Sequence, residues 1–133
     1  MNPGFLRPLL DSPGEVFALE NTRNGRIVAD RLEPAFDSDT RRKGLLGRDS
    51  LAAGTGLVIA PSNSVHTFFM RFPIDVVFVR RDGSVIKVRH AVPAWRMTAA
   101  FGAFAVVELP AGTARKAELA PRDRLAVRAL NQA

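Results

Sequence analysis

Apolar residues fall in short runs along this chain, and turn residues stop most of the runs after a strand's length. "VFALENTRNGRIVADRLEPA" (16–35) reads as a hairpin of two short strands around Asn24-Gly25, a dipeptide that favours a tight turn because both residues tolerate positive φ. "GTGLVIAP" (54–61) has the composition of a buried strand and ends at Pro61. "VHTFFM" (65–70) predicts another strand, and Pro73 should break or bulge the chain before "IDVVFVRR" (74–81) resumes. Asp82-Gly83 turns the chain back into "SVIKVRHAV" (84–92), expected to run antiparallel. "PAWRMTAAFGA" (93–103) has no clear period, and "FAVVELPAG" (104–112) and "RLAVRAL" (124–130) supply the last strands on either side of the turn "ELAPRD".

Helical patterning is confined to residues 38–47. Asp37 or Ser38 can cap that segment, Asp39 suits its first turn, Gly47 can close it, and Leu45 and Leu46 are its apolar anchors. The opening residues, interrupted by Pro3, Pro8 and Pro13, read as an arm over 1–15 that docks if Phe5, Leu6, Leu9 and Leu10 find a groove. The pattern predicts one mainly β domain over 16–130 (α+β by strict count). About seven or eight antiparallel strands would form a small barrel-like or two-layer structure with one short helix.

Composition narrows the chemistry. A chain of 133 residues, 47% hydrophobic, can bury a core as a single domain. It has no cysteine, which removes disulfides, thiolate catalysis and cysteine-based metal sites. Nineteen basic side chains, all but three of them arginine, give a net charge of +6. The densest basic cluster, "TRRKGLLGR" (40–48), shows no interleaved aromatics, so nucleic acid is an unlikely partner and the 41–48 patch only a minor alternative. No window approaches the roughly 20 apolar residues of a membrane span. As written, without a basic, apolar leader, the sequence predicts a soluble cytoplasmic protein with no membrane insertion, or an exported one if a leader has been removed.

The polar residues inside apolar runs are the candidates for function. His66, Arg71 and Asp75 punctuate "HTFFMRFPIDVVFV", and Glu108 interrupts "VVELP". On an alternating strand His66, Phe68 and Met70 share one face. Asp75 beside Pro73 can accept backbone N–H bonds at a bulge, pair with an arginine, or face a pocket with His66. A carboxylate such as Glu108 must be solvated, paired or lining a cavity, with Arg48, Arg71 and Arg96 among its possible partners. Trp95-Arg96, in the irregular stretch, can plug one end of the domain or offer a stacking surface, and Met97 and Phe101 could complete either. His66 and His90 show no metal-site spacing, so neither metal nor cofactor is expected. No G-x-S-x-G elbow occurs, and "GTG" (54–56) precedes a strand rather than opening a phosphate-binding helix.

Taken in order, "RKGLLGR" (42–48), "GTGLVI", "HTFFMRFPIDVVFV", "PAWR" (93–96) and "VVELPAG" (106–112) ahead of "RDRLAV" make this chain resemble the bacterial and archaeal family known as domain of unknown function 192. The matching positions are Gly44, Leu45, Arg48, His66, Met70, Asp75, Glu108 and Gly112. The resemblance implies a small, mostly β domain and brings no activity with it. Where many members have Trp-Met ahead of Asn-Thr, this chain has Phe69-Met70-Arg71-Phe72.

The reading favoured by these residues is a non-enzymatic module binding a small ligand or partner through a polar cluster of His66, Arg71 and Asp75. Trp95, Arg96, Glu108 and Arg48 would approach from neighbouring segments, and a carboxylate-bearing or sugar-like ligand would suit the arginine and acid groups. The alternative is a hydrolase using Asp75 with Glu108 or His66 as acid and base.

Overall fold

The computed structural model describes residues 2–130, and among these the chain forms ten strands, three short helices and one 3-10 turn. Strands β1 (Phe17–Asn21) and β2 (Arg26–Ala29) are the hairpin expected around Asn24-Gly25. β1 also pairs antiparallel with the final strand, β10 (Leu125–Ala129), giving a three-stranded sheet ordered β10-β1-β2. A five-stranded sheet is built from β3 (Arg31–Ala35), β4 (Thr55–Ile59), β6 (Ile74–Val79), β7 (Val85–Val92) and β9 (Ala105–Pro110), in the order β3-β4-β9-β6-β7. β5 (Ser64–His66) and β8 (Met97–Ala99) form a separate ribbon.

The architecture is a two-layer, mostly β domain, the second of the two forms expected from the sequence. The sheets do not close into a barrel, and pairing is not wholly antiparallel, because β3 and β4 run side by side in the same direction. A parallel pair needs a crossover. Here residues 36–54, including helix α2 (Ser38–Lys43), supply it. The strand count was underestimated because β3 follows β2 after one residue, so the two read as a single strand, and because β8 has three residues, too few to show a period. The run 65–70 leaves strand geometry after His66, and Phe69 takes φ 65°.

Apolar packing on both faces of the five-stranded sheet explains its near-continuous hydrophobic sequence. One face, through Val58, Val77, Val107 and Leu109, packs against Phe17, Leu19, Val28 and Leu125 of the smaller sheet. The other face, with Leu57, Ile59, Ile74, Val76, Phe78 and Val106, is covered by Leu45, Leu51, Val65, Met70 and Phe72.

The N-terminal arm is ordered. It forms a 3-10 turn (Gly4–Leu6) and helix α1 (Arg7–Asp11), with Pro8 in the first turn where its missing N–H costs nothing. Leu6 and Leu9 are buried in the main core and the Phe5 N–H donates to the Arg81 carbonyl, so the arm docks, whereas Leu10 stays exposed. A third helix, α3 (Thr113–Lys116), follows β9. Among the described residues no helix is long and apolar enough to cross a membrane.

A crevice floored by a buried glutamate

Glu108 lies in the middle of β9, between partners Leu57 on β4 and Val76 on β6. Alternation puts it on the face that carries Val106, Val76 and Ile59. Only 5% of the residue is exposed, yet its Oε1 atom is buried without any hydrogen-bond partner. Among the described residues one other buried side-chain atom, the Thr98 hydroxyl oxygen, shares that condition. Loss of hydration pushes the Glu108 carboxyl up to about 7, and the positive charge of Arg48 offsets only part of the shift.

A crevice of about 250 Å³ opens over this carboxyl. Its walls come from the segment after α2 (Gly44, Leu45, Leu46), from the end of β4 and Pro61, and from Ser64, Val65, His66 and Met70. Arg41, Arg42 and Lys43 stand at the mouth.

Local sequence explains the wall. Asp37 caps α2 by accepting from the Thr40 N–H at 2.8 Å, and the helix ends at Gly44, whose φ of 49° favours glycine. A Cβ at Gly44 would sit 3.7 Å from the Glu108 Oε1, so bare backbone forms this side of the crevice. The helix closes at Gly44 rather than at Gly47, which leaves Leu45 free to turn into the core.

The remaining expected site residues are dispersed. Asp75 is fully buried and accepts three backbone N–H bonds, from Ala91 (2.8 Å), Gly112 (3.0 Å) and Ala114 (2.9 Å). It pairs across the sheet with Leu109, one position along from Glu108, so the two carboxylates point to opposite faces. They cannot flank one substrate. The cluster expected from His66, Arg71 and Asp75 does not form either. Arg71 reaches out to Asp49 at 2.6 Å on the surface, and the crevice is lined by His66 but by neither Arg71 nor Asp75. The bulge expected near Pro73 is present, but its extra residue is in β7, where His90 and Ala91 together face Asp75 and Ala91 takes φ 47°.

Arg48 is bound to Glu33 at 2.9 Å rather than to Glu108. Trp95 is 58% exposed at the tip of the β5–β8 ribbon, so it does not plug the fold. Its ring lies 5.8 Å from that of Phe68 and 4.6 Å from that of Phe69, and Phe68 in turn stacks on His66 at 4.9 Å. Arg96 is exposed beside it.

Thr67 was not visible as a site-building residue. It is buried; its N–H donates to the Arg96 carbonyl, its carbonyl accepts from the Trp95 N–H, and its hydroxyl accepts from the Arg96 N–H at 2.9 Å and donates to the Pro93 carbonyl at 2.6 Å. Nothing in the sequence marks a threonine inside an apolar run as the clamp of a distant loop. Among the described residues no group of three His, Asp or Glu side chains could hold a metal ion.

The chain belongs to the uncharacterised family DUF192 (Uncharacterized ACR, COG1430), which matches it over residues 19–127. Two crystal structures share its fold. A protein from Sinorhizobium meliloti 1021, provisionally named a transcription regulator, superposes with a TM-score of 0.74 at 24% identity, over 85% of this chain and 92% of that one. A protein of unknown function from Novosphingobium aromaticivorans DSM 12444 superposes with a TM-score of 0.70 at 24% identity, over 82% of this chain and 81% of the other. At that identity the likeness concerns the fold alone. No curated protein matches the chain.

Proposed function

We propose that the domain is a non-enzymatic binding module whose site is the Glu108 crevice, and that its ligand is a small, hydroxyl-bearing acid of the sugar-acid type. The observation that carries this reading is the partnerless Oε1 of Glu108 at the floor of an open crevice. A buried acceptor left unmade costs about 1–3 kcal/mol, and a ligand hydroxyl donating to it recovers that cost on binding. The mouth of three cations disfavours an ammonium group and suits a carboxylate on the outer part of the ligand.

Nucleic acid fits less well. Arg41 donates to the Pro61 and Asp37 carbonyls and Arg48 is held by Glu33, which leaves the exposed Arg42 and Lys43, enough for a single carboxylate and few for a chain of phosphates. A second reading, hydrolysis with Glu108 as general acid, is supported by its carboxyl standing near 7 and by His66 lining the same crevice. Asp75 has no part in it.

Thermal unfolding with glucuronic and galacturonic acids tests the first reading. Saturation at about 100 times the dissociation constant should add roughly 2.7 kcal/mol, which is several degrees for a domain of this size. Glu108→Met keeps the volume and removes the acceptor; it should fold and show no shift. A shift that survives in Glu108→Met places the ligand elsewhere, and no shift in wild type removes the reading. Release of reducing sugar from glucuronides or galacturonides in the same incubation would favour the hydrolase.

A further inference from the structure

The crevice borders an aromatic row at His66. His66 is both part of its wall and the first ring of an aromatic row that runs His66–Phe68–Trp95–Phe69, with centroid separations of 4.9, 5.8 and 4.6 Å. The outer rings face solvent, Phe69 being 71% and Trp95 58% exposed. Both residues sit at positive φ, 65° and 68°, which non-glycine residues avoid. Such strain persists only where surrounding structure holds it. Here the holding is visible in the bonds from Thr67 to Pro93, Trp95 and Arg96. Core burial does not explain that outlay, because the rings it positions are out in water.

Because His66 belongs to both, we propose that the site accommodates an acidic oligosaccharide, one sugar unit seated over Glu108 and the following units against the exposed Trp95 and Phe69. The inference rests on the sugar-acid reading of the crevice and extends it from a single unit to a chain. An aromatic row accepts flat, partly apolar faces, and pyranose C–H faces, nucleobases and acyl chains are the candidates. A phosphodiester chain carries a charge on every unit, more than the exposed Arg42 and Lys43 at this crevice can match. A lipid surface calls for an uninterrupted apolar patch, whereas the exposed Phe69, Trp95 and Met97 alternate in sequence with the exposed Arg71 and Arg96. A glycan with occasional carboxylates fits both the donor-seeking floor and the weakly cationic rim.

Trp95 is the single tryptophan of the chain, so its fluorescence reports on the row alone. The probes are galacturonic acid against trigalacturonic acid, and glucuronic acid against a hyaluronan tetrasaccharide. One of the two oligomers should shift Trp95 emission and bind at least about tenfold tighter than its monosaccharide. Trp95→Ala should erase that advantage while leaving monosaccharide affinity unchanged, and Glu108→Met should abolish binding of both. Equal affinity for monomer and oligomer, unaffected by Trp95→Ala, would overturn the extended site and leave the crevice reading standing. Binding of neither sugar would remove both. An emission shift with phosphatidylserine vesicles or oligo(dT), and none with either oligomer, would assign the row to lipid or nucleic acid and overturn the proposal.

Discussion

Asp75 and Glu108 lie on adjacent strands of one sheet, both out of water, and the fold treats them in opposite ways. Asp75 has its two carboxylate oxygens filled by three backbone N–H groups, two of them at the start of α3, where Gly112 has no side chain with which to cap the helix. Glu108, turned to the other face, is left with an empty acceptor and an open crevice above it. A buried carboxylate that is fully bonded ties segments together. One that is buried and unbonded costs stability, and retaining it is intelligible when something outside the chain completes it. Both are buried carboxyl side chains, so the hydrogen-bond accounting is what separates scaffold from site.

That contrast can be broken most forcefully at Asp75. Asp75→Ala strands three backbone N–H groups, that of Ala114 buried and those of Ala91 and Gly112 partly so, and should cost about 3–5 kcal/mol, read as a fall in the urea midpoint. A loss under 1 kcal/mol would mean that water or rearrangement replaces the carboxylate. The Glu108 side predicts an unusual pH dependence. Its folded-state carboxyl titrates near 7 against an ordinary 4.5, so between those values the native state keeps a proton that the unfolded chain has released. Stability therefore falls as pH rises from 4.5 to 7, by roughly 3 kcal/mol in all, and levels off above. Asp37, Asp82 and Asp123 are shifted the other way, below 3.8, so their stabilisation is lost only at lower pH, outside this window. The smallest effect belongs to Arg71. Its ion pair with Asp49 is exposed on both sides, and Arg71→Ala should change stability by less than about 0.5 kcal/mol. It should leave sugar-acid affinity unchanged, since Arg71 does not line the crevice.

Much of the sheet was legible in the sequence because strand patterning and turn chemistry agree. Asn24-Gly25, Asp82-Gly83 and Pro61 mark real boundaries, and Asp37 caps the helix that its position promised. The parallel pairing of β3 with β4 was hidden, because direction depends on where a crossover lands and not on periodicity. β8 was hidden by its brevity, and with it the partner of β5.

At the site, Glu108 stood out because a carboxylate between Val107 and Leu109 conflicts with its strand, and that conflict is local. The expected grouping of His66, Arg71 and Asp75 rested on nearness along the chain. Strand alternation, the turn at Phe69 and the bonding demand of Ala91, Gly112 and Ala114 scatter them. Asp75 was equally conspicuous in sequence, and only its hydrogen bonds reveal that it is spoken for.

The central claim, that Glu108 is kept at a cost to the fold, is tested most directly by urea denaturation of wild type and Glu108→Gln at several pH values between 4.5 and 8. Gln removes the charge and keeps the shape. The account predicts that the two proteins are similar near pH 4.5, that wild type alone loses roughly 3 kcal/mol on the way to pH 7, and that Glu108→Gln is the more stable above it. Parallel profiles, or a Gln variant less stable than wild type at pH 8, would show that the carboxylate is satisfied within the fold and contradict the reading of the crevice as a site.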